Sequence, residues 1–310
     1  NKGQSHIIEP DLDDSLKKVV NNKMFTAQEI PEFADVYIIA VPTPYSLGLN
    51  NFYYPDISIV FQAIEQICPF IRENNLIILE STSPIGTTEK IENLIKEKTS
   101  FDKKNIDIAY CPERVLPGNI LNELKNNDRI FGGLTENASL KAKNLYSTIC
   151  NGELFITTSK IAEMSKLCEN AYRDVNIAYA NELSVICDKI NIDVKELINL
   201  SNKHPRVNIL NPGCGVGGHC IAVDPWFLAS QFPKESSLIQ TARNVNMEKT
   251  KWVIKKIKFI SEEFTEKFGR KPKMGFLGLA FKPDVDDLRE SPALKIVQEM
   301  ILENHDVIVA

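Results

Sequence analysis

The chain has 310 residues, 43% hydrophobic and 25% charged, enough for roughly two packed domains and too apolar for disorder. A net charge of −5 argues against a nucleic-acid platform, which would show a basic stripe, although arginines and helix N-termini can still hold a small anion locally. Seven scattered cysteines in a chain of this size exclude a small disulfide scaffold and point to reduced thiols in the cytoplasm. The N-terminus has no apolar signal core, and no apolar run is long enough for a membrane span. Both ends read as cut: the chain opens without Met and stops at Val307–Ala310, a strand-like run.

From Asp35 onward, short apolar runs alternate with helical spacing. Val36–Val41 reads as a strand and Asp56–Arg72 as a helix, with Ile57, Val60, Phe61, Ile64, Ile67 and Ile71 on one side. Leu76–Glu80 is the next strand and Thr87–Lys98 the next helix. Asp107–Tyr110, Arg129–Phe131 and Leu154–Thr157 follow as strands, with a helix at Asn137–Ile149. Such alternation predicts an α/β, doubly wound, mainly parallel sheet. From Ser159 to about Leu200 the apolar residues recur at helical intervals, predicting one or two long helices. A Pro/Gly-rich segment at 205–218 comes next, then helix from about Val223 to Phe268. Strand, helix and strand return at Met274–Leu279, Pro292–Leu302 and Val307–Ala310.

The segment Asn211–Pro225 carries the strongest chemical signal. Gly213, Gly215 and Gly218 formally satisfy G-x-G-x-x-G, but a dinucleotide loop follows a strand and opens a helix, and here Pro212 and a helical region precede it. It is therefore not read as the NAD loop. Cys220 ends the glycine run, and a helix beginning near Asp224 places positive dipole beside the sulfur, favouring thiolate. A buried structural cysteine is the competing reading; the flanking Gly217, Gly218, His219 and Asp224 favour function. A metal site from Cys214, His219 and Cys220 is weaker, because no second ligand cluster stands nearby.

On the helix beginning at Ser159, Lys166, Asn170 and Arg173 fall at i, i+4 and i+7, a polar stripe suited to an anionic or hydroxyl-bearing ligand, or simply a solvated face. Thr43, Thr82 and Glu113 follow predicted strands, where ligands of open α/β sheets lie; ordinary capped turns are the alternative. Arg206, Lys282 and Arg289 suit phosphates if they converge and are surface charge if they do not. His6 and His305 receive no role.

Five runs occur in order: Glu80–Thr88, Cys111–Gly118, Ala162–Asn170, Pro212–Cys220 and Phe281–Pro292. Together they resemble the UDP-glucose/GDP-mannose dehydrogenase family over nearly the whole chain. Within it, His204–Leu210 and Gly217–Phe227 are most similar to the branch acting on UDP-N-acetyl-D-mannosamine. The resemblance implies a truncated Rossmann-like doubly wound sheet lacking its first βαβ segment (1–158), a helical central dimerisation domain with the nucleophile loop (159–268), and the start of a second, UDP-binding α/β domain (269–310). It implies oxidation of a sugar 6-hydroxyl to a carboxylate with NAD, through thiohemiacetal and thioester on Cys220. Lys166 would be the acid/base or the cation facing developing alkoxide, Asn170 and Asp224 would orient groups or a water, and Glu113 would assist thioester hydrolysis. Arg114, Val115, Lys166, Asn170, Arg173, His204, Arg206, Gly217, Phe281 and Lys282 would hold the UDP-sugar, and Thr43, Thr82 and Arg289 would touch NAD. A homodimer is implied, and no metal, nucleic acid or membrane.

The family's opening strand, glycine loop and ribose-binding acid have no counterpart here, about 30 residues that would hold the pyrophosphate. This predicts weak NAD binding and inactivity of the 310-residue chain by itself. The competing readings are a dehydrogenase for UDP-N-acetylglucosamine or UDP-glucose, a 3-hydroxyacid dehydrogenase, which needs no nucleophilic cysteine, and a non-catalytic nucleotide-sugar binding module.

Overall fold

The structure, a computed structural model, describes residues 3–5, 7, 9–48, 52–102, 104–116, 118–282 and 287–310. His6, the opening Asn1–Lys2, Pro117 and residues 283–286 of the Phe281–Pro292 run lie outside them. The chain divides into two compact units, Asn1–Leu167 and Cys168–Ala310.

In chain order the first unit contains α1 (Leu12–Asn21), β1 (Val36–Ile39), the hairpin strands β2 (Tyr45–Leu47) and β3 (Tyr53–Pro55), α2 (Ser58–Ile67), β4 (Leu76–Leu79) and α3 (Thr87–Lys98). Then come β5 (Asp107–Tyr110), α4 (Ile120–Asn126), β6 (Arg129–Gly133), α5 (Glu136–Tyr146), β7 (Leu154–Thr158) and the start of α6 (Ser159–Ile190). Five strands form one sheet in the order β1-β4-β5-β6-β7. Side chains of β4 alternate between its faces. Ile77 and Leu79 pack with Val60, Ile64, Ile91 and Ile95 of α2 and α3, while Leu76 and Ile78 pack with Phe131, Ala138, Ala142 and Tyr146. Helices thus cover both faces, which is why the strand runs are continuously apolar.

Three features depart from expectation. β6 runs antiparallel to β5, pairing Ala109 with Gly133 and Tyr110 with Gly132, so β6 and β7 reverse the otherwise parallel sheet. The α4 connection returns the chain to the same end of the sheet from which β5 leaves, and a strand leaving from there must run backwards. β1 is an edge strand with Ile38 48% exposed, so an apolar run did not guarantee burial. α1, α4 and the β2–β3 pair lie outside the elements expected from the sequence.

The second unit contains most of α6, then α7 (Val194–Ser201), α8 (Asp224–Gln231), α9 (Ser237–Phe268), β8 (Lys273–Phe276), α10 (Pro292–Leu302) and β9 (Asp306–Val309). The helix expected over Val223–Phe268 is two helices. Residues 232–236 separate them, since Pro233 cannot donate to the preceding turn. α9 stops at Gly269, whose φ of 67° lets its N–H cap Thr265 O at 2.9 Å. β8 and β9 pair in parallel, and Met274, Phe276 and Val307 pack with Ile254 of α9 and Ile296 and Met300 of α10.

Candidate active site

The glycine-rich loop follows α7 rather than a strand, so its glycines do not form a dinucleotide turn. Asn202 closes the loop's approach, accepting from Ile209 N at 2.7 Å and donating to Ile209 O at 3.0 Å. Gly217 has room for no side chain, because a Cβ there would lie 2.6 Å from Glu290 O and 2.7 Å from Phe281 Cβ. Gly218 adopts φ 83°, which a Cβ disfavours, and its N–H donates to Arg289 O at 3.0 Å. The loop is therefore fitted against Phe281 and the 287–292 segment of the same unit.

Cys220 lies where this loop meets α8. Its carbonyl accepts from Val223 N at 3.0 Å and Asp224 N at 2.8 Å, so the residue anchors the turn that leads into α8. That position puts the residue near the N-terminal end of α8, where the helix dipole is positive. Cys220 is partly buried, in contrast with Cys68, Cys111, Cys150 and Cys187, which are buried. Burial pushes the Cys68 and Cys111 thiols upward and makes them poor nucleophiles. No cysteine is in a disulfide. Asp224, the first residue of α8, is buried and accepts from Asn170 Nδ2 of α6 at 2.6 Å. Two candidate residues are thus joined by a hydrogen bond, four residues beyond the thiol in one case and on α6 in the other.

Around the same loop, His219 Nδ1 lies 3.3 Å from Asp287 Oδ2. Asp287 takes the fork of Arg289 through both oxygens, at 2.9 and 2.7 Å. That bidentate bond holds the Asp287 carboxyl well below the usual range, and the same bond raises the Arg289 guanidinium. Arg289, expected to touch NAD, is thus engaged with Asp287. Phe281 packs on Gly217 and Gly218, and Lys282 is half-buried.

In the first unit, the loops leaving β1 and β4 form one polar rim. Ser81 Oγ donates to Val41 O at 2.7 Å, tying the segment that carries Thr43 to the one that carries Thr82, and both threonines are half-buried. This rim at the carboxyl ends of parallel strands fits a dinucleotide. Glu163, fully buried, accepts from Gly86 N at 2.6 Å, Thr88 N at 2.8 Å and Thr88 Oγ1 at 2.7 Å, and so caps α3 behind the Thr82 loop. Burial raises its carboxyl despite these bonds. Sequence reasoning gave Glu163 no role; its place three residues before Lys166 in a helical motif was the available signal.

Glu113 is heavily engaged. Its Oε1 accepts from Arg114 N at 2.6 Å and Val115 N at 2.9 Å, and its Oε2 from Arg129 Nη2 at 2.7 Å. Arg114 donates through Nη2 to Asp128 O. Beside this group Tyr146 donates to Glu80, whose carboxyl is raised chiefly by burial.

Along α6, Lys166 and Asn170 are half-buried, whereas Arg173 is exposed and the buried Asp174 occupies the inner edge of the stripe. His204 and Arg206 are exposed after α7, with Arg206 N donating to His204 Nδ1 at 3.3 Å. Among the described residues no three of His, Cys, Asp or Glu gather as metal ligands, and no helix is long and apolar enough to cross a membrane.

Similarity to known proteins agrees with this geometry. A UDP-N-acetyl-D-mannosamine dehydrogenase of Campylobacter jejuni is 51% identical over 98% of this chain and 75% of its own length. An NDP-N-acetyl-D-galactosaminuronic acid dehydrogenase of Ralstonia nicotianae is 48% identical over 97% of this chain and 71% of its own. The solved UDP-D-ManNAc dehydrogenase of Pyrococcus horikoshii matches with a TM-score of 0.89 at 39% identity, covering 99% of this chain and 72% of that one. Residues 1–150 match the NAD-binding domain of one family, 160–248 its central domain and 275–310 its UDP-binding domain. With its glycine loop, its cysteine at a helix start and these three matches in order, the chain belongs to the UDP-glucose/GDP-mannose dehydrogenase family.

Proposed function

We infer that this enzyme oxidises the C6 hydroxyl of UDP-N-acetyl-D-mannosamine to the carboxylate, with Cys220 as the nucleophile. The observation that carries this is the partly buried Cys220 at the start of α8, next to the Asn170–Asp224 bond, in a chain 51% identical to a UDP-N-acetyl-D-mannosamine dehydrogenase. NAD, when bound, supplies the hydride acceptor for each of the two oxidations. Between them the Cys220 thiolate adds to the aldehyde carbon, giving a thiohemiacetal whose oxygen carries the proton. Loss of that proton and of hydride leaves a thioester, and water displaces the thiolate to release the acid. Lys166 serves as acid/base or as the cation facing the alkoxide, and Asn170 and Asp224 orient the reacting oxygen or the water. Glu113 assists hydrolysis through the lone-pair capacity its three bonds leave. Arg114, Val115, Arg173, His204, Arg206, Gly217, Phe281 and Lys282 hold the nucleotide sugar, and Thr43, Thr82 and Arg289 the NAD.

The organisation that goes with this chemistry is an NAD-binding part over 1–158, a central part over 159–268 and a UDP-binding part over 269–310. A homodimer through the central helices is supported by exposed Tyr172, Tyr179, Ile186 and Ile190 on α6. Beside them lies a groove of about 320 Å³ lined by Val185, Val245 and Trp252. Seven reduced cysteines support a cytoplasmic location.

The test is NADH formation by the full-length parent with a panel of UDP-sugars, wild type against Cys220→Ala. The expected outcome is fastest turnover on UDP-N-acetyl-D-mannosamine and none with Cys220→Ala. Undiminished turnover by that variant refutes the covalent route. Light scattering at micromolar concentration checks the dimer.

A further inference from the structure

Between α6 and α9 lies a polar network that no step above uses. Asp174 is fully buried, and its Oδ1 accepts from Arg243 Nη1 at 2.6 Å and from Asn246 Nδ2 at 2.7 Å. Asn246 Oδ1 accepts from Asn181 Nδ2 at 2.8 Å, and all four side chains are buried. The network reaches the nucleophile loop on both sides of the thiol. Asn181 Oδ1 takes the Gly213 N–H at 2.8 Å, and Arg243 Nη1 lies 3.5 Å from the carbonyl of Ile221, the residue after Cys220. Further along α9, Thr250 donates to Cys214 O at 2.8 Å.

As a source of stability this arrangement is poor. Two charges are taken out of water, and an apolar pair of similar volume commonly does as well. Asp174 Oδ2 and Arg243 Nε are moreover buried without a hydrogen-bond partner, which adds to the cost. Burial accordingly pushes the Asp174 carboxyl up, with Arg243 and Asn246 drawing it back. What the network supplies is directional. The loop has glycine at 213, 215, 217 and 218, so few side chains of its own can fix it, whereas bonds to its backbone from two 32-residue helices can.

We propose that Asp174 and Arg243, acting through Asn246 and Asn181, are positioning residues that hold the loop from Gly213 to Ile221 in the register that presents Cys220. Both act through the loop backbone. The proposal rests on the reading of Cys220 as the nucleophile.

The test, in the full-length parent, uses Asp174→Leu/Arg243→Met, which removes both charges while filling the space, with Arg243→Lys as the conservative variant. Two readouts separate position from folding. The first is kcat per titratable Cys220 with UDP-N-acetyl-D-mannosamine and NAD, set against KM. The second is the pH profile of Cys220 alkylation by iodoacetamide, followed by mass spectrometry of its peptide. Expected for the double variant are a KM within about twofold, a kcat per site lower by about 100-fold, and a displaced alkylation profile, with part of the rate restored in Arg243→Lys. A merely structural role lowers the number of titratable sites and leaves kcat per site and the profile unchanged, which overturns the proposal. Should the double variant not fold, Asn181→Leu removes the network's bond to Gly213 N and leaves the ion pair. A drop of about tenfold in kcat per site then supports the proposal, and an unchanged value overturns it. Cys220→Ser distinguishes the two levels. If it turns over normally, the nucleophile reading fails; if it is inactive while the network variants react at the wild-type rate, the positioning role alone fails.

Discussion

Every residue of β4 and β5 is buried, whereas among residues 213–221 only Gly218 is. The sheet is held by apolar contact on two faces, the loop by hydrogen bonds from α6, α9 and the 287–292 segment. Apolar burial is strong but non-directional, so it fixes which face is inside without fixing single atoms. Hydrogen bonds contribute less net stability but specify distances, which chemistry at one sulfur requires. Stability and reactivity in this chain thus rest on different residues.

Ile78→Ala is the harshest challenge to that division. It hollows a fully buried site and should cost about 2–5 kcal/mol in urea denaturation, with kcat of the surviving folded enzyme unaltered. An equal loss of kcat per folded molecule would show the two regions to be coupled. Next comes Glu163→Ala, where a polar residue does a structural task. It strands the donors of Gly86 and Thr88 at the head of α3, with an expected loss of about 1–3 kcal/mol. Ser291→Ala should cost about 1 kcal/mol of thermal stability, since Ser291 caps α10 through Leu294 N and also donates to Leu279 O.

The smallest effect concerns pH. Burial raises the Glu80 carboxyl above its ordinary 4.5, so the folded state holds that proton more tightly than the unfolded state. Its contribution to stability is complete below 4.5 and is lost as pH rises through the raised folded-state value. Melting temperature should therefore fall over that window in wild type and fall less in Glu80→Gln. Parallel curves for the two proteins would assign the drop to other groups.

The same division explains what could be read from the chain. β5, α3 and α10 lie where the apolar spacing puts them, because burial writes a periodic signal. The glycine run and Cys220 were legible because a loop fitted against its neighbours needs glycine. Asp174, Asn181, Arg243 and Asn246 were not, because each is an unremarkable polar residue on a long helix and its partner lies some 65–72 positions away. The stripe on α6 was half-read: Asn170 does meet Asp224, but the inner edge belongs to Asp174 while Arg173 faces outward. The reversal of β6 leaves no trace in periodicity, which has no sign along the chain. Pairing of β2 with β3 has no buried residue behind it and so leaves no periodic signal.

Cys214 packs against the cluster of Ile254, Ile296 and Met300 that also receives Met274, Phe276 and Val307. Any chimera that exchanges β8, α10 and β9 for those of a relative, to alter nucleotide preference, would therefore remodel the floor beneath position 214. Such a graft would have to import a matching residue there, or the swapped segment would retune turnover along with specificity.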